Sequence, residues 1–358
     1  MNSNRLTKIL HQCVEDFDLN LRGLVVLTEA ATGPYQYSPI LAALAGADKV
    51  YAVTADSRYA NKEDVKIQTL EKARQWGLSE RIEVVFNKSR DWISECDIVT
   101  NSGFVRPINR EFISFMKPTA VIPLMWETWE LRDYHLDLEA CKEHGILVLG
   151  TDEAQPPHAL YSLPGYLAMK LIFELGLEGY RTRTLLLGSN VLARCIHEHF
   201  RHLNLPVTWF AEGETEAQPY DSLRSHFATH AQNYDVILVA EHEHDVRLLG
   251  ADGLLTYDQI REANAAMCIG VISGNVDAGG LKTSGLRFYP EKILPFGQMS
   301  YQSYELGPLP VLELYAAGLK VGETMARARL SGSSVKEAAR YALQNSAAMD
   351  FQDERAWL

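Results

Sequence analysis

Residues 184–193 read Thr-Leu-Leu-Leu-Gly-Ser-Asn-Val-Leu-Ala, and residues 207–212 read Val-Thr-Trp-Phe-Ala-Glu. The first stretch is an apolar strand that runs into Gly188, and residues 191–203 then carry a helical period. A dinucleotide-binding turn places G-x-G-x-x-G/A between a strand and a helix, with an acid about 20 residues further on. Gly188 supplies the tight turn, and Ala193 the close helix–strand packing. Asn190 stands where a second glycine lets a pyrophosphate approach the backbone. Asparagine tolerates left-handed angles better than most residues, but it adds bulk. Glu212 closes the next strand near the required offset, where a carboxylate binds the ribose hydroxyls of NAD and repels the 2′-phosphate of NADP. Gly188, Asn190, Val191 and Glu212 are therefore candidate cofactor-binding residues, with Ser273 at the end of a later strand. The same pattern also fits an α/β turn that binds nothing, or one that takes the adenosine of SAM.

On the N-terminal side, apolar strands at 24–27, 49–53, 82–86, 97–100, 120–124 and 146–149 alternate with helical stretches such as 38–45, 62–75 and 138–144. This spacing implies βαβ units and a mostly parallel sheet. A long helix at 160–174 is stopped by Gly176 and Gly179. The strand–helix pattern then restarts, with further strands at 235–240 and 268–272. The expected fold class is α/β: two Rossmann-like domains with mostly parallel sheets and an interdomain cleft. Residues 1–150 with 310–358 form a flavodoxin-like substrate domain, and residues 151–309 a dinucleotide-binding Rossmann domain. The tail is helical at 311–329 and 335–345, with Ser333 or Ser334 as N-cap and Glu337 in the first turn.

The chain has 358 residues, 47% apolar and 22% charged, with 34 Lys+Arg against 46 Asp+Glu and a net charge of −12. That composition is globular and excludes disorder. Without a basic tract, nucleic acid and anionic membranes are poor partners. Cys13, Cys96, Cys141, Cys195 and Cys268 stand singly, which argues against a disulfide framework or a zinc ribbon and fits a reducing cytoplasm. No apolar run reaches the ~20 residues that span a bilayer. The first 20 residues carry charges throughout and read as a short amphipathic helix, not a signal peptide.

Ligands of parallel sheets bind at the carboxyl ends of the strands. Strand 235–240 ends in Glu241-His242-Glu243-His244-Asp245, which makes His242 and His244 candidate acid/bases. The H-x-H spacing also suits a metal pair, and the whole run also reads as a solvated loop. Tyr301 and Glu305 are candidate proton donors or hydrogen-bonding groups, with Gln298 beside them. After the first strand, Glu29 and Tyr35 belong to a candidate substrate loop in which Pro34 removes an N–H donor. Its alternative is a SAM-binding turn with Asp56 on the ribose. Trp126 and Trp129 can stack on a ring, and Arg132 can bind a carboxylate or phosphate. His199 and His202 read as a surface face of their helix.

The chain order over residues 95–300 resembles the D-isomer-specific 2-hydroxyacid dehydrogenases and, more distantly, formate dehydrogenase and S-adenosylhomocysteine hydrolase. The resemblance rests on Cys96-Asp97-Ile98-Val99-Thr100, on 108–116 and 120–124, and above all on residues 137–148. There Asp-Leu-Glu-Ala-Cys-Lys-Glu-His-Gly-Ile-Leu-Val is similar to the family's D-L-x-A-A-x-x-x-G-I-x-V. The resemblance implies NAD(H), a small polar substrate and a homodimer. Two positions depart from it: Ser273 stands at the family's carboxylate-binding arginine, and Phe296 of Leu294-Pro295-Phe296 at its catalytic histidine. The expectation is an NAD(H)-dependent oxidoreductase-like enzyme acting on a small polar metabolite with atypical catalytic residues. The alternatives are a SAM-dependent group transferase on a similar scaffold and a non-catalytic nucleotide-binding member.

Overall fold

A computed structural model describes residues 3–157 and 162–358. The chain divides into two compact units, Met1–Leu160 with Gly307–Leu358, and Tyr161–Leu306.

The first unit opens with α1 (Ser3–Asp16), β1 (Val25–Glu29), α2 (Ser38–Leu44), β2 (Lys49–Val53), α3 (Lys62–Gln75) and β3 (Ile82–Val85). It continues with α4 (Arg90–Ile93), β4 (Ile98–Val99), α5 (Arg110–Phe115), β5 (Val121–Pro123), α6 (Leu138–His144) and β6 (Leu147–Thr151). The second unit holds α7 (Leu163–Glu174), β7 (Thr184–Leu187), α8 (Asn190–His202), β8 (Val207–Phe210), α9 (Leu223–His230) and β9 (Val236–Ala240). It is completed by β10 (Arg247–Leu249), α10 (Tyr257–Ala263), β11 (Cys268–Ser273), β12 (Asn275–Val276), α11 (Ala278–Thr283) and β13 (Arg287–Tyr289). The tail, α12 (Pro308–Leu330), α13 (Val335–Asn345) and β14 (Ala348–Met349), returns to the first unit. Residues 160 and 161, the expected start of the long helix, lie outside the described residues.

Local sequence sets the helix ends. Asp137 accepts the Ala140 N–H at 2.8 Å, and Gly145 closes α6 at φ 68°. Ser334 and Glu337 form a reciprocal capping box on α13, which selects Ser334 over Ser333. α12 is buried on nearly every side. A Cβ on Gly318 would lie 2.4 Å from Met125, and one on Gly322 2.9 Å from Ile98 and Pro123, so these glycines let the helix lie against β4 and β5.

The sheet of the first unit runs β14-β6-β5-β4-β1-β2-β3, parallel except for β14, which pairs antiparallel with β6. This corrects the flavodoxin-like expectation. The six parallel strands follow the 3-2-1-4-5-6 dinucleotide-type order, because β4 pairs with β1 through Val26 and Ile98. The second unit carries an all-parallel sheet, β13-β11-β9-β7-β8, with Thr184 opposite Val207 on one side and Val236 on the other. Each sheet reverses its winding beside its first strand, at β1/β4 and at β7/β9. Doubly wound sheets bind ligands at such points.

Candidate functional site

Gly188 follows β7 with no room for a side chain: a Cβ there would sit 2.2 Å from the Ala240 carbonyl oxygen on β9. Asn190 takes φ 65°, a left-handed geometry that asparagine tolerates better than most residues. Its Oδ1 accepts the Leu192 N–H at 2.9 Å. Ala193 is fully buried. Glu212 is exposed at the end of β8, with its N–H bonded to Ser189 Oγ at 3.0 Å. Trp209 Nε1 donates to the Gly188 carbonyl at 2.7 Å, and the His197 ring lies tilted against the Trp209 ring, centroids 4.9 Å apart.

The strongest feature of this turn is Glu241, which the sequence reading passed over for its neighbours. Its carboxylate is fully buried at the end of β9. It accepts the Ser189 N–H at 3.1 Å and the Tyr220 hydroxyl at 2.6 Å on one oxygen, and the Glu243 and His244 N–H groups at 2.8 and 3.0 Å on the other. A helix N-terminus favours an anion, and here the chain's own carboxylate holds one of its donors. The Ser189 and Leu192 N–H groups are both engaged within the chain, by Glu241 and by Asn190.

His242 is half-buried beside Ser273, Nδ1 to Oγ 3.3 Å, and its backbone follows Glu241 at the same sheet edge. His244 is drawn to Glu241 through its N–H. Among the described residues, no three metal-ligating side chains converge. Ser273 is fully buried at the end of β11 and accepts the Glu241 N–H at 3.1 Å through its carbonyl. Tyr301 packs within the second unit. It is buried, its ring meets Tyr289 edge-on, and its hydroxyl is held by Lys170 at 3.0 Å. Glu305 lies in a short 3₁₀ turn, Ser303–Leu306, and Gln298 is exposed on a loop. His199 corrects the surface reading: it is half-buried where α7 crosses α8, and a Cβ on Gly165 would lie 2.4 Å from it. His202 is exposed.

In the first unit, Glu29 is buried at the end of β1. It accepts the Tyr315 hydroxyl at 2.7 Å and the Phe104 N–H at 3.1 Å. Burial pushes its pKa up, opposed by Tyr315, by the Phe104 and Gly103 N–H groups and by the charge of Arg106. Tyr35 meets Tyr315 edge-on at 6.4 Å. Trp126 lies under the Arg106 guanidinium, 4.8 Å from its ring centre. Arg132 is exposed and braces its own turn by donating to the Trp129 carbonyl at 2.9 Å. Trp129 is half-exposed and donates to Glu127 at 2.6 Å. The sequence reading therefore named Glu29, Tyr35 and Trp126 but missed Arg106, Asn101 and Tyr315, which the fold gathers beside them.

Glu130 sits near Glu127 and Glu153. Burial drives its pKa from 4.5 to about 7, with Glu127 adding repulsion and the Glu127 backbone and Arg132 opposing. The folded chain thus holds this proton more tightly than the unfolded chain, and stability falls as pH rises from 4.5 through about 7. Urea unfolding at about pH 5 and about pH 8 is expected to lose roughly 1–3 kcal/mol in the wild type, and less in Glu130→Gln. An equal loss in both would contradict this.

No protein-family model matches the chain, and no curated protein matches its sequence. Solved structures do. The chain is similar in fold to one of the chains of dipicolinate synthase. The Bacillus halodurans protein aligns at TM-score 0.52 and 10% identity, over 83% of this chain and 96% of its own. The Bacillus subtilis protein aligns at TM-score 0.51 and 12% identity, over 88% and 98%. A 2-hydroxyacid dehydrogenase from Ketogulonicigenium vulgare aligns at TM-score 0.43 and 11% identity, over 87% and 96%. At these identities the likeness to the dipicolinate synthase chains is one of fold. Among the described residues, no helix is long and apolar enough to cross a membrane.

Proposed function

We propose that the chain is an NAD(H)-dependent oxidoreductase-like enzyme acting on a small polar metabolite, with the dinucleotide seated at the Gly188 turn. The observation that carries this reading is the backbone of the turn itself. Gly188 has no space for a Cβ, Asn190 at the second-glycine position takes left-handed angles, and Glu212 is displayed at the end of the adjoining strand. In that reading the Asn190 and Val191 N–H groups hold the pyrophosphate, and Glu212 holds the ribose. A nicotinamide dinucleotide held by Gly188, Asn190, Val191 and Glu212 would supply the hydride chemistry. Carbonyl reduction also consumes a proton, and His242, half-buried beside Ser273 at the same sheet edge, is the side chain placed to carry it. At the positions matched by sequence to the arginine and histidine of the resembling dehydrogenases this chain carries Ser273 and Phe296, and in this reading other residues meet the substrate's charge. We further propose that the protein works as a cytoplasmic homodimer.

Isothermal titration with NAD⁺, NADH, NADPH and SAM tests the reading. NADH is expected to bind with a Kd on the order of micromolar, and Glu212→Ala to weaken it about tenfold. NADPH is expected to bind more weakly, because Glu212 repels its 2′-phosphate. Binding of SAM alone would replace the reading with group transfer, and binding of none would remove it.

A further inference from the structure

The two sheet edges differ in one respect. At β7/β9 the buried Glu241 carboxylate meets four donors of its own chain. At β1/β4 the donors outnumber the acceptors. Asn101, just past β4, is fully buried, and its Oδ1 is fixed by the Met125 N–H at 2.8 Å. That bond assigns the amide orientation and leaves the buried Nδ2 with no partner. Arg106 is half-buried on the same loop, and its buried Nε has no partner either. Trp126, just past β5, carries the Arg106 guanidinium on its ring and has an unpartnered buried Nε1. Glu29 acts on Arg106 through charge but does not meet these three donors: the bonds its oxygens accept come from Tyr315 and Phe104. Each buried donor left unmet costs about 1–3 kcal/mol, more where the donor is charged. Unmet donors of this kind ask for an explanation, and sites that pay such a cost are commonly built for a ligand.

We propose that the carboxyl edge of the first unit's sheet, where β1 and β4 diverge, binds the oxyanion of a small metabolite through Asn101, Arg106 and Trp126. The oxyanion is a carboxylate or a phosphate ester. Arg106 supplies charge and a planar fork of donors, which suits two-oxygen recognition. Asn101 supplies its amide N–H₂ and Trp126 its indole N–H, and the Trp126 face keeps the guanidinium plane in place. Glu29, on the opposite strand, turns the site against ligands that bring a second negative charge toward β1. The proposal stands apart from the dinucleotide reading, because all three donors belong to the first unit.

The test uses the full chain, with inorganic phosphate and acetate as probes, followed by thermal unfolding and by titration calorimetry. Wild type is expected to melt higher with at least one probe, and the stronger probe identifies the source of the oxyanion. Arg106→Gln is expected to bind that probe about tenfold more weakly or worse. Without probe, Arg106→Gln is expected to melt at or above wild type, because it removes a half-buried cation whose Nε has no hydrogen-bond partner and which no salt bridge among the described residues neutralises. Asn101→Leu is the second variant. Glu212→Ala is expected to leave the anion response unchanged, so a failure of dinucleotide binding stays distinguishable from a failure here. The proposal is overturned if neither probe stabilises wild type, or if Arg106→Gln responds to the probes as wild type does. A lower melting point for Arg106→Gln without probe would equally overturn it, by making Arg106 a structural residue.

Discussion

Gly188→Ala is expected to destabilise the second unit by more than about 3 kcal/mol. The new Cβ would stand 2.2 Å from the Ala240 carbonyl oxygen, 2.5 Å from its carbon and 3.0 Å from the Glu241 nitrogen. All three are backbone atoms of β9 or its end, so no side-chain rotation relieves the clash. β7 and β9 are locked in register from Thr184/Val236 to Leu187/Val239, and only a shift of the whole strand end makes room. Urea unfolding measures the effect. Gly279→Ala is the control, since its Cβ would come no closer than 3.5 Å to its nearest neighbour, Asp277. A change within about 1 kcal/mol for Gly188→Ala would show that the turn is looser than its geometry states.

Glu241→Ala carries the second large effect, a loss of roughly 3–5 kcal/mol. It strips the acceptor from the Ser189, Glu243 and His244 N–H groups and from the Tyr220 hydroxyl at a fully buried position. Burial and Glu241 together push the Tyr220 hydroxyl far above its usual pKa, which keeps it a donor. Glu241→Gln keeps one acceptor oxygen but points an amide at donors, so its loss should fall between wild type and Glu241→Ala. If Glu241→Ala unfolds at the wild-type midpoint, the carboxylate does not hold the turn.

The sequence revealed most of what is local. Apolar runs of four to six residues became β1, β2, β7, β9 and β11, and the Asp137…Gly145 stretch became a capped helix with a left-handed end. The Gly188 turn was legible because its residues are adjacent in the chain. Strand order was not legible. Whether the first unit winds as 3-2-1-4-5-6 or in the flavodoxin manner depends on β1 choosing β4, a pairing between residues far apart in sequence. The role of Glu241 was hidden for a related reason. Its partners Ser189 and Tyr220 come from other strand ends, and the neighbouring histidines gave a louder chemical signal. Arg106 and Asn101 lie in a loop with no motif spacing. Only the return of α12, which brings Tyr315 to Glu29, completes their surroundings. His199 was misread because the helical period identifies a face but not whether another helix covers it.

The most direct measurement of the central claim uses the tryptophan under the turn. Trp209 donates to the Gly188 carbonyl, and it is the one tryptophan in the sequence between residues 161 and 306. NADH seated at the turn is expected to quench its emission and gain sensitised nicotinamide fluorescence. That transfer should fall sharply in Trp209→Phe, with calorimetry confirming that the variant still binds. Transfer that persists undiminished in a binding Trp209→Phe variant would place the dinucleotide elsewhere. No transfer in wild type at saturating NADH would contradict the Gly188 turn as a nicotinamide dinucleotide site.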